Sequence, residues 1–231
     1  MPKRLIIFLF LSLSGCDQKQ AVDQVSGQTM GTTYTVKSQD GAIDQSQIDS
    51  RLKQINRVFS NWDKHSELSQ VNLQPAHQTI LLSSELSKVL SESVRVYQQT
   101  DGFFDPGIGR LVDAWGFGAT KVASKPNREA IEQALRHSSI AKATFSAPEL
   151  TKQANIQLNL SAIAKGYAVD EVAKLLVDQG IKRFMVEIGG EIKTQGSWTI
   201  GIETPAEQAP IKVELVDESI ATSGNYRQYF I

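Results

Sequence analysis

The residues able to do chemistry gather in two stretches. The first is Leu158-Asn159-Leu160-Ser161-Ala162-Ile163-Ala164-Lys165-Gly166-Tyr167-Ala168-Val169-Asp170. It reads as a strand end, a tight turn and a helix start, with Ser161 as N-cap because its hydroxyl can accept from a free amide of the first turn. A helix N-terminus presents unpaired amides and the positive end of the helix dipole, so it attracts anions. Lys165 adds a full positive charge, and the small residues Ala162, Ala164 and Gly166 let a bulky anionic ligand approach the backbone. The plainer alternative is a well-capped helix docked on a sheet, with a solvated lysine. The stretch is neither a Gly-x-x-x-x-Gly-Lys phosphate loop nor a Gly-x-Gly-x-x-Gly dinucleotide turn. The second stretch runs from Thr100-Asp101-Gly102-Phe103-Phe104-Asp105-Pro106-Gly107 to Trp115-Gly116-Phe117-Gly118 and holds five glycines. Glycines beside aromatic rings suit either a pocket closing on a flat ligand or a loop plugging a sheet edge. Met30 beside Gly31 either pads an aromatic ring or packs in the core. Trp62, in the polar loop from Phe59 to Ser69, either covers the core edge or stacks on a planar ligand. His65 in the same loop reads as solvated.

The elements that must position these residues follow from periodicity. Behind Ser161, Ala164, Ala168, Val172, Leu175 and Leu176 recur at helical spacing, and Gly180 supplies the stop. Asp44 or Ser46 caps a helix whose stripe is Ile48, Leu52, Ile55 and Phe59. A second amphipathic helix spans Ser84 to Thr100, with Leu86, Leu90, Val94 and Tyr97 on one face. Pro126-Asn127 opens a short helix through Ile131, Ala134 and Leu135. A strand is expected from Gln28 to Lys37, with Gly31 marking a bulge or a close contact. Further strands are expected at Ala143 to Phe145, Gln157 to Leu160, Phe184 to Ile188, Trp198 to Ile202, Lys212 to Val216 and Ser219 to Ser223. The mixture predicts an α+β fold, a mixed sheet packed with helices and a ligand cleft at the loops.

The 231 residues suit one or two domains, and 41% hydrophobic with 21% charged residues is ordinary for a globular protein. A net charge of -1 without a basic run gives no electrostatic case for nucleic acid. Lys3 and Arg4 precede the apolar run Leu5 to Leu13, which is too short for a permanent membrane span and suits an export signal. Leu13-Ser14-Gly15-Cys16 then resembles a bacterial lipobox, with cleavage before Cys16 and acylation of its thiol; the alternative is a plain secretory signal. Residues 1–15 are thus expected to be a lipoprotein signal peptide, 16–27 a polar tether and 28–231 the folded domain. Cys16 is the only cysteine, so the exported domain relies on its core rather than on disulfides. Asp17 resembles the inner-membrane retention residue of enterobacterial lipoproteins, which implies a lipid anchor on the periplasmic side of the inner membrane.

Met30-Gly31-Thr32-Thr33-Tyr34, the segment Thr100 to Asp105, Trp115-Gly116-Phe117-Gly118, Leu158 to Asp170, Gly189-Gly190 and Ala221-Thr222-Ser223-Gly224-Asn225-Tyr226-Arg227 stand in one order along the chain. In that order they resemble the FAD:protein FMN transferases, the ApbE-like lipoproteins, over nearly all of the exported chain. The resemblance implies an ApbE/T-fold-like domain. It further implies an enzyme that binds FAD and magnesium, transfers FMN to a threonine hydroxyl of a membrane flavoprotein subunit and releases AMP. Implied acceptors are subunits of sodium-translocating NADH:quinone reductases and related membrane redox complexes. Carried over by residue, Met30 matches a methionine against the flavin, Trp62 an aromatic position on the cofactor, and Phe103, Phe104 and Asp105 an FAD-contacting segment. Asn159 and Lys165 match cofactor-binding positions where many members carry aspartate and some relatives carry glutamate, respectively. Ala162 matches a position whose backbone carbonyl ligates the metal. Family members continue past Tyr229-Phe230 to a His-x-x-Asp-Pro motif and a late metal-binding segment, whereas this sequence stops at Ile231. The expectation is a C-terminally incomplete transferase. Its alternative is a lipid-anchored FAD-binding protein with weak or absent catalysis.

Overall fold

The computed structural model describes residues 22–119, 125–203 and 209–223. Cys16 and the segment 224–231 lie outside the described residues. In chain order the elements are β1 (Asp23–Thr29), β2 (Thr32–Ser38), α1 (Gln45–Phe59), α2 (Glu67–Leu73), β3 (Thr79–Leu81), α3 (Ser84–Gln99), α4 (Gly109–Ala114) and α5 (Arg128–Arg136). They continue with β4 (Ala143–Ser146), β5 (Glu149–Lys152), α6 (Ser161–Asp178), β6 (Phe184–Ile188), β7 (Glu191–Gln195), β8 (Ser197–Ile202), β9 (Ile211–Val216) and β10 (Ser219–Ala221).

The main sheet has the order β1-β2-β6-β7-β10. All its ladders are antiparallel, and so are those of the β3-β5-β4 sheet and the β8-β9 hairpin. The α+β expectation therefore holds, with the parallel component of the expected mixed sheet reduced to one bridge between Ile108 and Gln157. That bridge is also what remains of the strand expected from Gln157 to Leu160.

Strand alternation sorts the two faces of the sheet. Tyr34 and Val36 of β2 stand opposite Ile188 and Val186 of β6, and all four are buried. With Phe184 they meet α1 and α6, whose inward stripes are Ile48, Leu52, Ile55 and Phe59, and Ala164, Ala168, Val172 and Leu176. Each aliphatic side chain of that size is worth about 1.5–3 kcal/mol when fully buried. On the other face Met185 forms a smaller core with Trp198, Ile200 and Leu215 of the β8-β9 hairpin.

Helix starts follow their caps. Asp44 accepts from the amides of Ser46 and Gln47 to open α1, and Ser83 accepts from Leu86 to open α3. Gly180, at φ +83°, ends α6. Helix α6 packs on β6, β7, α1 and α3. Arg51 of α1 ties this arrangement together by pairing with Glu85 of α3 and, at 2.7 Å, with Glu171 of α6. Tyr167 donates to Glu85 at 2.7 Å and packs edge-on against Phe59, ring centres 5.4 Å apart.

Three local expectations are corrected. The stretch Gln28 to Lys37 is a hairpin, not one strand, and its first arm, Asp23–Thr29, begins within the expected tether, at residues 23–27. Met30 and Gly31 both have positive φ, +48° and +73°. A two-residue hairpin turn requires this, so Gly31 is a turn glycine rather than a bulge. The polar loop after Phe59 contains α2, capped by Ser66 accepting from Ser69. Ser161 does not cap α6: Leu160 is the residue at the cap, and the amide of Ser161 donates instead to Asn159 Oδ1 at 3.0 Å.

Candidate functional site

The sheet brings two hairpin turns to one end. Met30-Gly31 joins β1 to β2 and Gly189-Gly190 joins β6 to β7, and the amide of Gly189 donates to Thr33 across the β2-β6 pair at 3.2 Å. Gly189 and Gly190 sit at φ +57° and +97°. A Cβ on Gly189 would lie 2.7 Å from Thr32 Cγ2, so the two turns pack without room for a side chain. Asn56 of α1 donates to Thr29 at 3.0 Å and fixes the first hairpin. A hollow of about 470 Å³ is lined by Gln28, Thr29, Met30, Gly31, Thr32 and Thr33. Met30 is half-buried, lines this hollow and packs against the main core, as the core reading of this residue expects.

The first turns of α6 lie beside this end. Lys165 Nζ donates to the carbonyl of Gly189 at 3.3 Å and pairs with Glu191 at 2.8 Å. The lysine expected to present a free charge is therefore neutralised by a carboxylate from β7. Ala162, at the exposed start of α6, offers a backbone carbonyl. Asn159 links two segments: its amide donates to Pro106 at 2.8 Å while its Oδ1 accepts from Ser161.

A second hollow of about 230 Å³ opens next to Asn159 and is also lined by Asn61, Trp62, Lys64, Asn72, Gly109, Asp113, Gln157 and Leu158. Trp62 is 61% exposed on its rim, so the tryptophan does not cover the core. Asn61 donates to Ser161 Oγ at 3.4 Å and holds the Trp62 loop against the start of α6. Asp113 carries much of the local chemistry. Burial pushes its carboxyl above the usual range, while a hydrogen bond from the Ala119 amide and the nearby Arg110 oppose that shift. A Cβ on Gly118 would overlap Asp113 Oδ1, so the Trp115–Gly118 loop wraps around this carboxyl. The glycines of the second stretch thus serve a carboxylate as well as the backbone.

The remaining expected residues divide. Phe103 is 98% exposed after α3, and Phe104 is half-buried. Asp105 Oδ1 accepts from the amides of Gly107 at 2.7 Å and Ile140 at 2.8 Å, which makes it a brace for its own loop. The structure thus joins Trp62 and Asn159 at one hollow, places Met30 at the other and sets Lys165 at the Gly189 turn. It leaves Phe103, Phe104 and Asp105 on a separate loop that touches Asn159 through Pro106. Sequence reasoning missed Asn72, Asp113 and Glu191. Asp113, inside a run of glycines, carried the only signal of the three.

Among the described residues no group of three or more His, Cys, Asp or Glu could hold a metal ion. In a regular helix the Ala162 carbonyl accepts from the amide of Gly166, which leaves it one lone pair. A hard cation such as magnesium wants about six oxygen ligands. This donor set does not fit the ion.

A sequence model of the ApbE family matches residues 30–231. The chain belongs to the ApbE family. An FAD:protein FMN transferase of Vibrio cholerae serotype O1 is 37% identical over 237 residues, covering 95% of this chain and 71% of the relative. One from Haemophilus influenzae is 36% identical over 250 residues, covering 98% and 72%. The solved flavin transferase ApbE from Vibrio cholerae superposes with a TM-score of 0.82 at 36% identity, covering 91% of this chain and 74% of that one. The ApbE fold therefore accounts for the sheet, its helical cover and the end at which the two turns meet α6.

Proposed function

We propose that this ApbE protein is an FAD:protein FMN transferase that moves FMN from FAD to a threonine hydroxyl of a membrane flavoprotein subunit and releases AMP. One observation carries the reading: Lys165 of α6 bonds the Gly189-Gly190 turn, which packs on the Met30-Gly31 turn beside a hollow, in a chain that aligns over 95% of its length with such a transferase. The amides of Ser161, Ile163 and Ala164 are taken by Asn159 and Leu160, so the helix dipole and Lys165 are what favour a diphosphate at that end. Met30 supports the flavin, and Trp62 offers a ring face at the neighbouring hollow. Asn159 holds the turn that opens α6. In the reaction the threonine oxygen bonds to the FMN phosphorus. The diphosphate bond to AMP breaks, AMP keeps the bridging oxygen, and the hydroxyl proton leaves to a base. Phosphoryl transfer of this kind rests on positioning and charge stabilisation. Magnesium is implied by the resemblance, but the donor set among the described residues does not fit it.

We further propose that Cys16 carries a lipid anchor on the periplasmic side of the inner membrane, where the acceptor subunit of a redox complex resides. The charged start, short apolar run and small residues before Cys16 support this. No described helix is long and apolar enough to cross a membrane. The test incubates the full chain in detergent with FAD, magnesium and a threonine-bearing acceptor subunit. AMP release with a covalently fluorescent acceptor supports the transferase. FAD binding without AMP release leaves the lipid-anchored FAD-holder, and no binding refutes both.

A further inference from the structure

The least expected side chain in the fold is Lys152, which is fully buried at the end of β5. Its ammonium donates to the carbonyls of Val71 at 3.0 Å and Asn72 at 3.1 Å, at the C-terminal end of α2. A cation there satisfies two helix-end carbonyls and complements the negative end of the dipole. Burial pulls the lysine below its ordinary value, and Arg110 adds to that.

The residue held this way has a specific partner. Asn72 accepts from the amide of Leu158 at 2.7 Å and donates to the carbonyl of Leu158 at 2.9 Å. Only one orientation of the side-chain amide makes both bonds. Two residues of antiparallel strands exchange this same pair of bonds. Asn72 therefore stands in for a strand neighbour of Leu158, next to the single bridge that Gln157 makes with Ile108. The next residue, Asn159, bonds Pro106 and Ser161 and begins the turn into α6.

We propose that Asn72, anchored by Lys152, is a positioning residue for the nucleotide site: it fixes Leu158 and so sets the direction in which the first turn of α6 and its dipole point. This rests on the FMN-transferase reading for its ligand, though not for the clamp itself. Asn72 acts through Leu158 and touches no reacting atom.

The test is Asn72→Asp in the full-length chain. The carboxylate keeps the bond from the Leu158 amide but faces the Leu158 carbonyl without a donor, and protonation restores one. An aspartate is ordinarily protonated only near and below about pH 4, so FAD affinity is read by flavin fluorescence at pH 8 and about pH 4, each as a ratio to wild type. The expected ratio is about tenfold weaker at pH 8, within about threefold at about pH 4. Amide exchange at Leu158 and Asn159 should speed up relative to wild type at pH 8 and recover at about pH 4. A ratio equal at both pH values, or no weakening, overturns the proposal. Lys152→Met tests the anchor, and its loss of affinity should be less than additive with that of Asn72→Asp. Full additivity would overturn the anchoring role. If Lys152→Met fails to fold, the pH ratio of Asn72→Asp still decides. If wild type does not bind FAD, the transferase reading fails, while the exchange measurement still tests the clamp.

Discussion

Replacing Glu191 by Gln should tighten FAD binding. Lys165 and Glu191 are paired at 2.8 Å with side chains 30% and 19% exposed. A diphosphate brought to the start of α6 must compete with this carboxylate for the ammonium and sit near its negative charge. Partly exposed pairs of this kind are worth about 1 kcal/mol once solvent screening is counted, which corresponds to roughly fivefold in affinity. The variant removes that competition and the repulsion while keeping the side chain's shape. FAD affinity, titrated by flavin fluorescence at low ionic strength, should rise about fivefold. The gain should shrink in 0.5 M salt, because screening at 0.1 M already acts over about 10 Å and tightens with salt. Lys165→Ala should do the opposite and weaken binding about tenfold or more at low salt, the loss of a charge-assisted hydrogen bond. Unchanged or weaker binding by Glu191→Gln, or the same gain at every salt concentration, would refute the placement of the phosphates beside Lys165.

Other perturbations test separate parts of the account. Met30→Ala should reduce affinity for FAD and leave affinity for AMP unchanged by isothermal titration; equal losses would put the flavin elsewhere. Gly189→Ala forces a side chain into a positive-φ turn against Thr32. It should cost about 1–2 kcal/mol of stability by denaturant unfolding and weaken FAD; an unchanged midpoint would contradict the close turn packing. Burial raises the pKa of Glu171, but its bonds to Arg51 outweigh this and hold the carboxyl below its ordinary value of 4.5. A lowered folded value means stability that is present above pH 4.5 and is lost as pH falls through the folded value. Glu171→Gln should therefore flatten the acid limb of stability against pH, and a parallel limb would contradict the network.

The helical parts of the fold were legible because their cues are local. Asp44 caps α1, Ile48, Leu52, Ile55 and Phe59 recur on one face, and Gly180 stops α6. Strand β1 was not legible: Asp-Gln-Val-Ser-Gly-Gln-Thr shows no apolar alternation, and its order comes from pairing with β2. Met30-Gly31 concealed a hairpin because β-forming threonines and a tyrosine flank the turn. Within the site, the α6 start was readable from its small residues and Lys165. The Lys165–Glu191 pair spans 26 positions and the Asn72–Leu158 clamp 86, so neither leaves a trace in local spacing. Asn159 and Ser161 exchanged roles for a similar reason: either polar side chain satisfies a first-turn amide, and only the bond to Pro106 fixes which one does.

The most direct test of the central claim is a crystal structure of the protein soaked with FAD. Both phosphates should lie against the first turn of α6, within reach of Lys165, with the flavin against Met30. Phosphates bound away from that turn would contradict it.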